Sequence, residues 1–491
     1  MASAQKVGYP ALPSTNIGAG ILGEILGTFL LVYVILNVAT VKNLAGNSFF
    51  GLAIGMTVTS MAVAIGPVTG GAFNPAVGLI GVFDGGAGAS IENVWIYWLG
   101  CPLGAALAAA FFRLQNYEEF HTDHRDLKFL AHATHQPGQE KFMSHSNCRA
   151  RGGKVVEMTE TKVEDLTGAA DLSGDERGLS ASLGLSLLQL PAIAQMRQLA
   201  AKAATEFVGT FSLCLTVSLS ASTSSIAAIA IGCVLMVLVY AGGHESGAHY
   251  NPAVTLTVAV SRRDKIQPLH AIVYVFSQLA GGLVAALISW VLIGKEAAGY
   301  AALGENVSIP SALLGELVVT FALCSVVLNT ATTKAQANNS YYGLAIGFTV
   351  LSGAISTGPI SGGAFNPAVG LMSALYGGDA AANCWVYFVG PLLAGLLAGL
   401  FFRVCAVEEY TESPSKMQTD TASFCNEMFG TMFLCYTVGT AAGNGSFLAP
   451  LSIGSALMVM VYMGGAISGA HYNPAVTLAL VIRTYFNPTH D

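Results

Sequence analysis

Four copies of one tripeptide carry the chemistry that the sequence offers: Asn74-Pro75-Ala76, Asn251-Pro252-Ala253, Asn366-Pro367-Ala368 and Asn473-Pro474-Ala475. Proline is favoured at the first position of a helix, where its missing N–H costs nothing, and asparagine is a strong N-cap. Each tripeptide opens an apolar stretch (74–83, 251–260, 366–376 and 473–482) that is too short to cross a bilayer, which takes about 20 residues. A short helix that starts this way presents free N–H donors and partial positive charge at its end. Two such ends meeting from opposite sides would offer asparagine amides to an uncharged acceptor such as water. Four glutamates, Glu24, Glu206, Glu316 and Glu427, lie inside apolar runs, where a carboxylate is expensive. Their expected partners are the unpaired backbone N–H groups of the loops that lead into the short helices, so they brace those loops. No catalytic residues are expected, because no nucleophile–base set or phosphate loop is present. No metal or other cofactor is expected either: the nine cysteines include no CxxC or Cys/His ligand spacing.

The elements that must position these groups are membrane spans. Hydrophobic residues make up 53% of the 491 and charged residues only 10%, against roughly 25% in an ordinary soluble domain. That excludes a soluble enzyme of average type, and a net charge of −7 speaks against nucleic acid as a partner. Of the 49 acidic and basic residues, 22 fall within 113–198. Elsewhere eleven apolar runs approach span length: 17–40, 49–67, 94–112, 203–222, 225–242, 270–292, 311–330, 342–358, 384–402, 424–442 and 450–466. Threading them puts 19 of the 21 Lys/Arg on one side, which makes the polar insert cytoplasmic and the N-terminus external. The insert reads as a disordered linker; its histidines (His121, His124, His132, His135, His145) match no ligand spacing, and its end, Ala181–Leu199, is apolar enough to lie on a membrane surface.

The spans repeat. Gly51–Gly55 recurs as Gly343–Gly347 and Gly70–Leu79 as Gly362–Leu371, both 292 residues on. Ser246–Leu256 recurs as Ser468–Leu478, 222 residues on. This defines halves A (17–113), B (200–292), C (311–403) and D (424–491). A, B and C each read span, span, half-helix, span, whereas D as given contains two spans and a half-helix. Broken helices in inverted repeats are tolerated at membrane depth where they line a water-filled cavity.

With these motifs in view, the chain resembles the aquaporin (major intrinsic protein) family. Halves B and D resemble the family's first half, through Ser-Gly-Ala-His-Tyr-Asn-Pro-Ala-Val-Thr-Leu. Halves A and C resemble its second half, through Trp95–Gly100 and Trp385–Pro391 in the closing span. The resemblance implies an all-α multi-span membrane protein of inverted repeats with re-entrant half-helices, about 11 spans and 4 half-helices. It divides the chain into 1–113 (second-half-like), 114–199 (linker), 200–405 (a complete unit), 406–423 (short linker) and 424–491 (truncated first-half-like). It implies a passive channel for water or small neutral solutes of the glycerol and urea type, not an enzyme, embedded in lipid. It further implies a homo-oligomer: a tetramer, or a dimer imitating one. A non-conducting scaffold of the same fold is the alternative. Asn251 would face Asn366. Asn74 would face Asn473 unless A pairs with B and C with D, or the chain is part of a longer tandem array. The family usually places an arginine three residues after the second asparagine; here those positions are Val77 and Val369. The matching selectivity-filter positions are Ile231, Ala354 and Gly363 with Val369, and Ile453, Ala62 and Gly71 with Val77, so the constriction is expected to be wide and apolar. His244 and Glu245, before the loop of B, are a possible pH gate.

Overall fold

The computed structural model describes residues 16–79, 93–117 and 174–486, and among these it is helical, with no strand. Half A comprises α1 (Ile17–Ala39), α2 (Phe50–Ala64), the single turn α3 (Gly66–Thr69), the half-helix α4 (Pro75–Gly78) and α5 (Trp95–Gln115). Half B comprises α6 (Gly174–Ser220), α7 (Ala227–Gly242), the half-helix α8 (Pro252–Val260) and α9 (Pro268–Ile293). Half C comprises α10 (Ile309–Thr332), α11 (Tyr342–Ser361), the half-helix α12 (Pro367–Ser373), the short α13 (Gly378–Asn383) and α14 (Val386–Cys405). Half D comprises α15 (Lys416–Gly443), α16 (Ala449–Ser468) and the half-helix α17 (Pro474–Phe486).

Among the described residues, eight helices are long and apolar enough to cross a membrane. Two shorter apolar helices, α2 and α7, together with α15 occupy the remaining expected span positions. Lipid supplies no driving force for one apolar helix to leave it for another, so association relies on close packing and polar links. The glycines serve that packing: a Cβ on Gly281 would press on the backbone of Phe207 and Phe211, and one on Gly395 on that of Ala253. Large apolar side chains such as Leu269, Phe276, Leu287 and Val291 on α9 stay exposed, as suits a lipid-facing surface.

Two compact units emerge, one of residues 1–115 with 201–491 and one of residues 116–200. Most of the polar insert, its histidines included, lies outside the described residues. Its last part differs from the expectation of a disordered linker: residues from 174 onward are helical and run without a break into the first span of B. Leu, Ala and Gln in 181–199 favour this, and the helix continues through the interior Pro191, which opposes it. The linker 406–423 is also largely structured. Helix α15 starts at Lys416 behind a reciprocal Ser415–Gln418 capping box.

In the larger unit B and C form the centre. Helix α7 packs on α11, α10 on α14, and α8 on α14, while α8 and α12 meet at their N-terminal ends. Half A attaches to B through α2 on α7, and half D attaches to C through α16 on α11. One buried ion pair locks B to C at the ends of the spans: the Arg263 guanidinium lies 3.1 Å from the Glu409 carboxylate, over the Phe402 ring at 4.3 Å, and donates to the Thr332 carbonyl.

A paired-asparagine site at the centre of the fold

The four loops before the half-helices share one backbone conformation, which follows from their sequence. The residue before each asparagine is aromatic and sits in the left-handed region: Phe73 (φ 49°), Tyr250 (51°), Phe365 (50°) and Tyr472 (48°). Non-glycine residues rarely adopt this state, and it needs support from its surroundings. The glutamates give that support. Glu206 accepts from the Tyr250 and His249 N–H groups at 2.6 and 2.9 Å, from the Ser246 hydroxyl, and from Gln278 Nε2. Glu316 accepts from the Phe365 and Ala364 N–H groups at 2.6 and 2.9 Å and from the Ser361 hydroxyl. Glu24 does the same for Phe73, Ala72 and Thr69, and Glu427 for Tyr472, His471 and Ser468. In A, B and D a glycine follows the glutamate by three residues (Gly27, Gly209, Gly430), and each leaves room for the aromatic ring of its own loop. Half C carries Val319 at this position.

Each asparagine then caps its half-helix, its side-chain oxygen accepting from the alanine N–H two residues on at 2.9 Å. Among the described residues, only in B and C is the amide nitrogen also committed. Asn251 Nδ2 donates to the Phe365 carbonyl and Asn366 Nδ2 to the Tyr250 carbonyl, both at 2.9 Å. The two loops are thus joined reciprocally, with the positive ends of α8 and α12 facing each other. Each amide keeps a second hydrogen. Both asparagines are buried.

A narrow cavity of about 30 Å³ surrounds this pair. Its walls come in matched pairs from B and C: Leu213 and Leu323, Val217 and Val327, Val254 and Val369, Asn251 and Asn366. Polar groups come from the two loops, at residues 248–251 and 363–366, and no Asp, Glu, Lys or Arg lines it. Of the filter positions named from sequence, Ile231, Gly363 and Val369 line this cavity. Ala354 does not; Val350 and Ile346, one and two turns earlier on the same face of α11, do. His249 lines the wall while its Nδ1 lies 3.1 Å from the Thr255 hydroxyl, which ties it to the half-helix α8. His244 and Glu245 are half-buried in the turn after α7 and are not part of the lining.

The wall residues Leu213, Val217, Leu323 and Val327 were not singled out from the sequence. Their signal was available: they stand seven and eleven residues after Glu206 and Glu316, on the helix face that already carries the brace.

Halves A and D do not form such a pair within the chain. Asn74 and Asn473 are exposed, and neither amide nitrogen has a partner among the described residues. Ala62, Gly71 and Val77 belong to the half held by B, with Val77 against Ala72, Tyr97 and Cys101, whereas Ile453 lies on α16, held by C. Pro75 and Ala76, and Pro474 and Ala475, open exposed or half-exposed half-helices, unlike buried Pro252, Ala253, Pro367 and Ala368.

Among known proteins, the profile of the family described as Major intrinsic protein matches residues 3–112, 192–402 and 415–490. The putative aquaporin NIP4-1 of Arabidopsis thaliana is 35% identical over 194 residues, covering 39% of this chain and 66% of that protein. Aquaporin NIP1-1 of Oryza sativa subsp. japonica is 37% identical over 201 residues (41% and 68%), and Nodulin-26 of Glycine max is 36% identical over 197 residues (40% and 70%). The matched region spans about two thirds of the length of these relatives. The solved structure of the aquaglyceroporin from Plasmodium falciparum aligns with 22% identity and a TM-score of 0.38, over 43% of this chain and 98% of that one.

Proposed function

The chain belongs to the major intrinsic protein family, and from that premise we propose that it is a passive transmembrane channel for water and small neutral solutes, with its pore in the B–C unit. The observation that carries this reading is the reciprocal Asn251–Asn366 pair inside an apolar, charge-free cavity. Water or a hydroxyl group passing between the amides accepts from the two free N–H groups, and the loop carbonyls before each asparagine accept from it in turn. A molecule held as an acceptor there cannot relay a proton onward, and the two facing helix ends repel cations. The cavity wall has Val369 and Ile231 and no cationic side chain, so its apolar lining suits small neutral solutes of the glycerol or urea type as well as water. Catalysis forms no part of this reading. The four glutamates act by holding the loops, and Asn74, Asn473 and the filter positions of A and D are assigned to a second site of the same kind.

Stopped-flow light scattering of proteoliposomes is the test. Gradients of sucrose, glycerol and urea should give shrinking and re-swelling rates above those of protein-free vesicles. Rates equal to the lipid alone, from protein shown to be folded, would mean the non-conducting scaffold instead.

A further inference from the structure

Two kinds of contact alternate along the four halves. One joins B to C: Tyr240 meets Tyr342 edge-on at 5.1 Å, and α7 crosses α11 where Gly232 and Gly347 allow the backbones to touch. The other joins A to B, where Phe49 stacks on Tyr240 at 4.2 Å and 10°, and recurs between C and D, where Tyr341 stacks on Tyr462 at 4.2 Å and 10°. The repeat offsets of 292 and 222 residues make the last two a single contact used twice.

The chain therefore carries two faces of the B–C kind that nothing among the described residues meets. Half A is the C-like half. Its Phe50 and Val58 are exposed, whereas their counterparts Tyr342 and Val350 are half-buried and buried. Half D is the B-like half. Its Leu457, Val461 and Val476 are exposed, whereas Leu235, Val239 and Val254 are buried. The glycines mark the same vacancy: an added Cβ on Gly343, Gly347 or Gly232 strikes the opposing half, but on Gly51, Gly55 or Gly454 it meets nothing within 4 Å.

A face built to receive a B-like half and a face built to receive a C-like half complement each other. We infer that a second copy of this chain is the occupant. Half A of one copy packs on half D of the other through the B–C contact, with Phe50 against Tyr462 of the second copy. Asn74 then pairs with Asn473 of the second copy, giving a second paired-amide constriction that neither chain forms alone. The contact is made twice about a two-fold axis, so the assembly closes at two chains. Each composite brings together the counterparts of α6, α7, α8, α10, α11, α12 and α14. The second constriction rests on the proposed channel function; the contact itself does not.

The full-length chain, extracted into nanodiscs and weighed by native mass spectrometry, should contain two copies. Gly55→Trp and Gly454→Trp have open space around them in a single chain, so each should fold normally and give one copy. In native membranes, co-expressed chains carrying different tags, one with Phe50→Cys and the other with Tyr462→Cys, should be joined by a short bifunctional thiol reagent only when both cysteines are present. A single-copy wild type, tryptophan variants that remain paired, or no cross-link between the tagged chains overturns the inference. None of these readouts measures conduction, so absent flux would remove the proposed function and leave this contact standing.

Discussion

At the residue scale, the account turns on a left-handed aromatic held by a buried carboxylate. Replacing Glu316 by alanine leaves the Phe365 and Ala364 N–H groups without their acceptor. An unsatisfied buried donor costs about 1–3 kcal/mol, so Glu316→Ala should lower thermal stability by several kcal/mol, read from the melting transition in detergent. Gly209→Leu should do similar damage by a different route, because its side chain occupies the space of the Tyr250 ring. The glutamates were legible in the sequence because charge inside an apolar run is conspicuous. Gly27, Gly209 and Gly430 were not, since a glycine in a glycine-rich membrane helix looks like any other packing site. Val369 tests the filter: Val369→Arg places a cation on the cavity wall and narrows it, so glycerol flux should fall more than water flux when both are measured on the same vesicles.

At the element scale, the half-helices and their caps were readable from Asn-Pro-Ala alone, since proline and asparagine each have one position they favour at a helix start. Span boundaries were less so. The first span of B grows backward to Gly174 because the segment before it combines apolar residues with good helix formers, which hydropathy alone reads as a linker edge. The Arg263–Glu409 link was also invisible in sequence, being two ordinary charged residues in separate loops. Both side chains are more than nine-tenths buried. Removing one partner of a buried pair costs about 3–5 kcal/mol, so Arg263→Ala should lower the unfolding midpoint substantially. Arg263→Lys should restore part of the loss, keeping the charge without the fork that reaches Thr332.

At the scale of the whole molecule, the repeats predicted four halves but not how they pair, because the same motifs serve every pairing. The structure joins B with C and hangs A and D on either member of that pair, and the difference shows in four residues: Asn251 and Asn366 are buried and cross-bonded, Asn74 and Asn473 are exposed. In the proposed channel no arginine stands at the mouth, so cation exclusion would fall to the facing ends of α8 and α12. Planar-bilayer recordings should therefore show solute permeability with no matching cation current in the wild-type protein, and Asn366→Asp, which puts a carboxylate at the midplane, should raise the cation current. The most direct test of the central claim is solute flux through proteoliposomes carrying the wild-type chain and the Val369→Trp variant, which fills the B–C cavity from its wall. The account predicts glycerol and water rates above protein-free vesicles for the wild type and a marked fall for the variant. Equal rates for the two folded proteins would contradict a pore through the Asn251–Asn366 site.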